Sequence, residues 1–340
     1  MKPILWQGGV LKVLDQRLLP ARMVWLKVTG AEDAHRYIKS MVVRGAPLIG
    51  VVGAFGLAIE ARRIEESDRS AFIRSLSEAS DFISSARPTA VNLPWAVGRV
   101  LKAARGCTTV SAMKEATLAE AVSIMQAEEE MSRRIGRYGA ELLRDGDTVL
   151  THCNAGSLAT VDYGTALAPV RVAMAEGKKV NVIATETRPA LQGARLTTFE
   201  LMHDNIDVTL ICDTMVGHVM SKGMVDKVFV GADRVLVDGT VINKVGTYQV
   251  AVLAKRHGVP FYSLFPSSTF DLFTPLSEVK IEERDPAEVT TIRGRRIAPN
   301  GVHVLNPAFD VTPPELVAGY VTDRGLESPP FKAPVAYRRS

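Results

Sequence analysis

The sequence predicts an α/β protein in two parts: a mainly helical N-terminal domain with a small antiparallel β element, residues 1–130, then a Rossmann-like C-terminal domain with a parallel sheet, residues 131–340. Three observations predict it. Residues 31–131 are Ala-rich, carry charged faces such as EARRIEESDR and hold few β-branched runs, which is a helical pattern. From about residue 148 short β-branched runs alternate with helical segments, the signature of strands joined by crossover helices. A length of 340 residues accommodates two cores.

In order along the chain, VLKVLD and MVWLKV, separated from their surroundings by Gly8-Gly9 and Leu19-Pro20, read as the antiparallel element. Residues 46–59 form the longest apolar run, too short and too glycine-rich to span a bilayer, and read as a buried helix. Residues 117–143 read as a long helix. Strands are then predicted at 180–186, 208–213, 227–232 and 261–265, with helices at 192–203, 215–221 and 247–257. Near the end, LNPAFD followed by Thr312-Pro313-Pro314-Glu315 reads as a strand leading into a capped helix, with Thr312 as N-cap and Glu315 as its capping-box partner. Fraying is expected beyond about Glu327, and no internal repeat is visible.

Composition narrows the function. Hydrophobic residues at 46% and charged residues at 23% describe an ordinary globular chain rather than a disordered one. A net charge of +4 without a basic run interleaved with aromatics does not point to nucleic acid, while the slightly basic balance suits anionic small molecules. Three cysteines, Cys107, Cys153 and Cys212, form no disulfide framework, and the N-terminus lacks a signal peptide's apolar core; the expected location is the cytoplasm, with no membrane partner.

The chemistry is expected at THCNAG, which begins at Thr151. A β-branched run enters it, so the local reading is a strand ending at Cys153, a tight Asn154-Ala155-Gly156 turn and a helix starting near Ser157. In an open parallel sheet, ligands collect at the carboxyl ends of strands. A free cysteine there has two readings: a small buried residue, as most are, or a thiol facing a cleft. The other strand ends add Glu186, Thr187 and Arg188, then Asp213, Asp233, and Asn243-Lys244. Local alternatives stand beside each: Asp213 as a helix N-cap, Glu186 with Arg188 as an ion pair, Asp233 as a turn cap.

Asp233 follows the apolar strand VFVGA, where desolvation would favour a protonated carboxyl group, whereas Cys153 before a helix start would tend toward thiolate; that is an acid/base pair in outline. In the helical half, Arg44 precedes Gly45-Ala46-Pro47 at a helix start, and Arg87 begins the rigid stretch RPTAVNLPW; an arginine beside free helix-start amides makes an anion site, and a capped helix with a solvated arginine is the alternative for each. No HExxH, CxxC or GxGxxG loop offers a metal or dinucleotide site.

These segments together, RGAP at Arg44, RPTAVNL at Arg87, THCNAG at Thr151, ETRP at Glu186, QGARLT at Gln192, GADRV at Gly231, NKVGTY at Asn243 and NPAFDVTPPEL at Asn306, resemble the methylthioribose-1-phosphate isomerases in order and across nearly the whole chain. That superfamily also holds ribose-1,5-bisphosphate isomerases and regulatory subunits of a translation initiation exchange factor. The resemblance implies conversion of 5-methylthioribose 1-phosphate to 5-methylthioribulose 1-phosphate in methionine salvage, without cofactor or metal, by a homodimer. It carries the catalytic roles to Cys153 and Asp233, and substrate binding to Arg44, Gly45, Ala46, Arg87, Gln192, Asn243 and Lys244. The competing expectations are a preference for 5-deoxyribose 1-phosphate or ribose 1,5-bisphosphate, and a non-catalytic regulatory subunit that senses a sugar phosphate or nucleotide.

Overall fold

The N-terminal strands β1 (Ile4–Gln7), β2 (Val10–Leu14) and β3 (Trp25–Val28) pair antiparallel in that order, as their alternating runs predict. The computed structural model describes residues 1–88, 90–292 and 294–328, so the fraying expected beyond Glu327 falls almost wholly outside the described residues. Five helices follow: α1 (Ala31–Lys39), α2 (Ala46–Arg63), α3 (Arg69–Ser84), α4 (Asn92–Arg105) and α5 (Val110–Ala140). Helix α2 is apolar around its circumference because it is the centre of its core: Leu48, Val51, Val52, Ala54, Phe55, Leu57 and Ala58 are all fully buried. Helix α3 starts where Asp68 accepts the amide of Ala71.

By compactness the chain forms two units, Met1–Arg133 with Gly156–Gly164, and Arg134–Ala155 with the described residues from Thr165 onward. The segment after the THCNAG turn therefore belongs to the first unit, where Val161 joins the helical core and the Leu158 carbonyl accepts from the buried Gln16 amide at 2.7 Å.

The second unit contains β4 (Thr148–Thr151), α6 (Ala168–Ala175), β5 (Asn181–Thr185), α7 (Thr198–His203), β6 (Val208–Ile211), α8 (Val216–Ser221) and β7 (Lys227–Val230). Next come β8 (Arg234–Leu236), β9 (Val241–Lys244), α9 (Thr247–His257), β10 (Phe261–Leu264), β11 (Phe270–Asp271), α10 (Ala287–Thr290), β12 (Thr291–Ile292) and β13 (Arg295–Arg296). The last strands are β14 (Phe309–Thr312), β15 (Gly319–Thr322) and β16 (Gly325–Glu327).

The main sheet has the order β6-β5-β4-β7-β10-β15-β16, parallel up to β15 and antiparallel only at β16. Numbering its parallel strands along the chain gives 3-2-1-4-5-6, a doubly wound sheet whose order reverses between β4 and β7. A second sheet, β11-β8-β9-β14, stands beside the end of β7 in sequence. Fully buried Val149, Leu150, Val228, Phe229 and Val230 fill β4 and β7 on both sides, which is why these strands read as continuous apolar runs.

Two local expectations fail. The helix expected at Ser157 is a single 3-10 turn, Ser157–Ala159, and the next α-helix begins at Ala168. The reason is tertiary: the chain leaves the second unit at Gly156 and returns at Thr165, so no crossover helix can start at the strand end. The capped helix at Thr312 is likewise one 3-10 turn, Pro314–Leu316; Thr312 ends β14 with its side chain buried and caps nothing. Among the described residues no helix is long and apolar enough to cross a membrane.

Candidate active site

Cys153 lies two residues beyond β4, and its backbone takes a left-handed conformation, φ 65°. That region costs an L-residue other than glycine roughly 1–2 kcal/mol, so surrounding bonds must impose it. They are visible. The Cys153 amide donates to the Thr187 hydroxyl at 2.9 Å, and the Cys153 carbonyl accepts from the Thr197 hydroxyl at 2.6 Å. Thr187 is itself left-handed, φ 64°, and is held because Asp213 accepts both its amide (2.8 Å) and that of Arg188 (2.7 Å). Asp213 thus braces the loop at the end of β5 from the end of β6, and is not the N-cap that its position allowed.

The Glu186–Arg188 pair is absent among the described residues: the Arg188 guanidinium donates to the carbonyls of Pro189 and Val289, and Glu186 faces Cys212, whose thiol its negative charge pushes to a higher pKa.

Asn154 is buried, and its amide nitrogen reaches the Thr197 hydroxyl (3.1 Å) and the Glu200 carboxylate. Glu200, fully buried on α7, pairs with Arg171 of α6 at 2.7 Å, and Arg171 also pairs with Asp204 at 2.7 Å. Burial opposes the guanidinium's charge, but the two carboxylates hold its pKa above the ordinary value.

His152 is buried and, as a lone histidine, carries no spacing signal in the sequence. Its Nε2 lies 2.8 Å from the Val245 carbonyl and its Nδ1 lies 2.7 Å from the Thr185 hydroxyl. Burial pushes the imidazole pKa down, so the ring is neutral; a carbonyl only accepts, so Nε2 carries the proton and Nδ1 accepts from Thr185.

Asp233 sits in the link between β7 and β8, half-buried, its amide donating to Ile242 at 3.0 Å. The strand that enters it ends at Val230, so the acid is one link beyond the sheet edge rather than on it. Cys153 and Asp233 accordingly follow β4 and β7, the two strands that flank the reversal of strand order. The loops meet: a Cβ on Gly231 would come within 2.8 Å of the Ala155 Cβ, so only glycine fits there.

The β8–β9 register pairs Arg234 with Ile242, and the Asp233 amide donates to the carbonyl of that same Ile242, so Asp233 is an extra residue at the start of this ladder; the β9–β14 register pairs Asn243 with Asp310. Directly opposed residues share a sheet face, so Asn243 and Asp310 do. Asn243 is buried and donates to the Thr247 hydroxyl at 3.0 Å. Lys244, on the opposite face, donates to the Ala308 carbonyl at 2.8 Å and lies over the Phe309 ring. Gln192 is buried immediately before the π-helical turn Gly193–Thr197 that carries Thr197. Gly193 lies so close to β5 that a Cβ would fall 1.7 Å from the Thr185 carbonyl oxygen.

Asp310 accepts the amides of Gly246 (2.7 Å) and Tyr248 (3.1 Å) at the start of α9, yet desolvation outweighs these bonds and pushes its pKa up to about 6 from 3.8. Because the folded value exceeds the unfolded one, the associated stability is fully present below pH 4 and is lost as pH rises through 6, a change of about 3 kcal/mol at 1.36 kcal/mol per unit. The wild-type chain is therefore expected to show a pH-dependent loss of stability between about pH 4 and 6 that Asp310→Asn lacks, as measured by urea denaturation across that range.

In the first unit, Arg44, Gly45 and Ala46 stand half-buried at the N-terminus of α2, with Pro47 in its first turn. Gly45 has φ 96°, and a Cβ there would lie 2.3 Å from the Ala159 carbonyl oxygen, so glycine is required against the returning segment. Arg87 is half-buried in the loop before α4, whose first residue, Asn92, is buried; Thr89 of the same motif lies outside the described residues. The structure thus groups Cys153, Gln192, Asp233, Asn243 and Lys244 about the carboxyl edge of the sheet unit, and Arg44, Gly45, Ala46 and Arg87 about helix starts of the helical unit. THCNAG is shared, its last residue belonging to the helical unit.

Residues 42–329 match the initiation factor 2 subunit family. A methylthioribose-1-phosphate isomerase of Thermosipho africanus is 51% identical over 328 residues, covering 96% of this chain and 95% of the relative. A 5-deoxyribose 1-phosphate isomerase of Moorella thermoacetica is 49% identical, covering 98% and 96%. The crystal structure of a 5-methylthioribose 1-phosphate isomerase from Pyrococcus horikoshii, 42% identical, superposes with a TM-score of 0.91 over 97% of this chain and 93% of that one. The chain belongs to the initiation factor 2 subunit family, in its methylthioribose-1-phosphate isomerase branch.

Proposed function

We propose that the chain is an aldose–ketose isomerase that converts 5-methylthioribose 1-phosphate to 5-methylthioribulose 1-phosphate in methionine salvage. The observation that carries this reading is the placement of a thiol, Cys153, and a carboxyl group, Asp233, after the two strands where the sheet order reverses, in a chain of this branch.

The substrate's phosphate ester at C1 blocks ordinary opening to a free aldehyde. The ring oxygen must be protonated before the C1–O4 bond breaks, and Asp233 is the proton donor. Hydrogen then moves from C2 to C1, leaving a ketone at C2 once its hydroxyl proton is lost. Two routes use Cys153: as the base that removes the C2 proton to give an enol, which is reprotonated at C1, or as a stabiliser of a direct hydride shift in a site shielded from water. Arg44, Arg87 and the amides of Gly45 and Ala46 hold the phosphate, and Gln192, Asn243 and Lys244 hold the sugar hydroxyls. Gln192 suits that role because its buried carbonyl oxygen has no hydrogen-bond partner among the described residues.

The Moorella relative supports a second reading, in which 5-deoxyribose 1-phosphate is the preferred substrate. The expected assay result is highest kcat/KM for the methylthio compound among it, 5-deoxyribose 1-phosphate and ribose 1,5-bisphosphate. Turnover of none of the three would overturn the isomerase reading and favour a regulatory subunit. In heavy water, substantial solvent deuterium at product C1 counts against a pure hydride shift. The working form is a cytoplasmic homodimer, which sedimentation equilibrium checks.

A further inference from the structure

The hydrogen bonds around Cys153 run in one direction. Its amide donates to the Thr187 hydroxyl; that hydroxyl lies 3.3 Å from both the Thr185 hydroxyl and the Thr185 carbonyl oxygen, to either of which it can donate; the Thr185 hydroxyl donates to Nδ1 of neutral His152; and His152 Nε2 donates to the Val245 carbonyl. On the other side, the Thr197 hydroxyl donates to the Cys153 carbonyl while accepting from Asn154. Both threonines are fully buried. Water therefore cannot replace either hydroxyl.

We infer that Thr187 and Thr197 are positioning residues for the thiol: their hydroxyls hold the two peptide groups of Cys153 in a left-handed turn and so set the direction in which its side chain leaves the backbone. With either hydroxyl gone, a part-buried peptide group of Cys153 loses that hydrogen bond and the turn is released toward negative φ, which rotates Cβ and carries the sulfur with it. The Thr197 bond has a second consequence. Thr197 ends the π-helical turn that begins just after Gln192, so the group assigned to the sugar hydroxyls and the thiol are set by one rigid element. The catalytic part of this inference rests on the proposed isomerase activity; the positioning of the thiol does not.

The test compares Thr187→Val and Thr197→Val, near-isosteric and without a hydroxyl, with Thr187→Ser and Thr197→Ser, which keep it. Two readouts separate the two claims. The first is the pH profile of iodoacetamide alkylation at Cys153, resolved by peptide mass spectrometry so that Cys107 in the same digest serves as a folding control. The second is kcat and KM on methylthioribose 1-phosphate. Each valine variant is expected to change the Cys153 alkylation rate at least about 5-fold, leaving the control Cys107 unchanged, and to lower kcat about 100-fold with KM within about 3-fold. Both serine variants are expected to stay within about 3-fold of wild type on both readouts. Cys153 alkylation within about 2-fold of wild type in both valine variants overturns the inference, as do serine variants as impaired as the valine ones, since packing of the methyl group would then be the cause. If the wild-type chain turns over no sugar phosphate, the proposed function fails while the alkylation profiles still decide the positioning.

Discussion

Cys153→Ser and Asp233→Asn are each expected to lower kcat on 5-methylthioribose 1-phosphate by about 10³-fold, within the 10²–10⁴ range of a lost acid or base. Serine keeps the size and the hydrogen bonds of the turn but has no accessible anion and is a poorer base. Asparagine keeps the shape of Asp233 but has no proton to release to the ring oxygen. Neither residue is at the centre of a core, so melting temperatures are expected to stay close to wild type. The double variant is expected to be no worse than about 10-fold below the poorer single one, because the two groups serve one transition state and their losses do not add. Stopped-time assays that resolve product from substrate by NMR measure all three. Near-wild-type turnover in both single variants would remove the pair from the mechanism.

Glu200→Ala is expected to destabilise the protein by about 3–5 kcal/mol, the usual result of removing one partner from a buried ion pair. Glu200 is fully buried and Arg171 nearly so, with side-chain exposures of 0% and 10%. The substitution leaves the guanidinium with Asp204 and takes an acceptor from the Asn154 amide next to the thiol. A fall in melting temperature of roughly 6–20 °C is expected at 2–4 °C per kcal/mol. Activity measured well below the transition should also fall, because Asn154 orients the turn that carries Cys153. An unchanged melting temperature by calorimetry would show that the triad contributes nothing net to the fold.

Much of the fold was legible because it rests on local periodicity. Helix α9 occupies the predicted residues 247–257, ending in Lys255, Arg256 and His257 before a left-handed Gly258, so dipole and cap signals agreed with the hydrophobic pattern. The three N-terminal strands, the buried helix α2 and the parallel strands follow equally from alternation or continuous apolar runs. Errors arose where a distant part of the chain decided. Ser157 has the local look of a helix start, but its segment joins the helical unit and is tied, through the Leu158 carbonyl, to Gln16, 142 positions earlier in the chain. Thr312 has the capping-box spacing, but its side chain is buried at a strand end. Asp213 has the look of an N-cap, but the amides of Thr187 and Arg188 claim its carboxylate.

The candidate site divides in the same way. By itself the sequence determined which chemical groups reach the strand ends, Cys153, Asp233, Asn243 and Lys244 among them, because a strand's end and the polar residue that follows it are written in consecutive positions. Only the tertiary structure decided that β4 and β7 are neighbours, that Asp310 stands opposite Asn243, and that Cys153 is held in a left-handed turn by Thr187 and Thr197. The physical reason is that sheet order and buried hydrogen bonds join residues tens of positions apart, and hydroxyls that act by position leave no periodic trace in the chain.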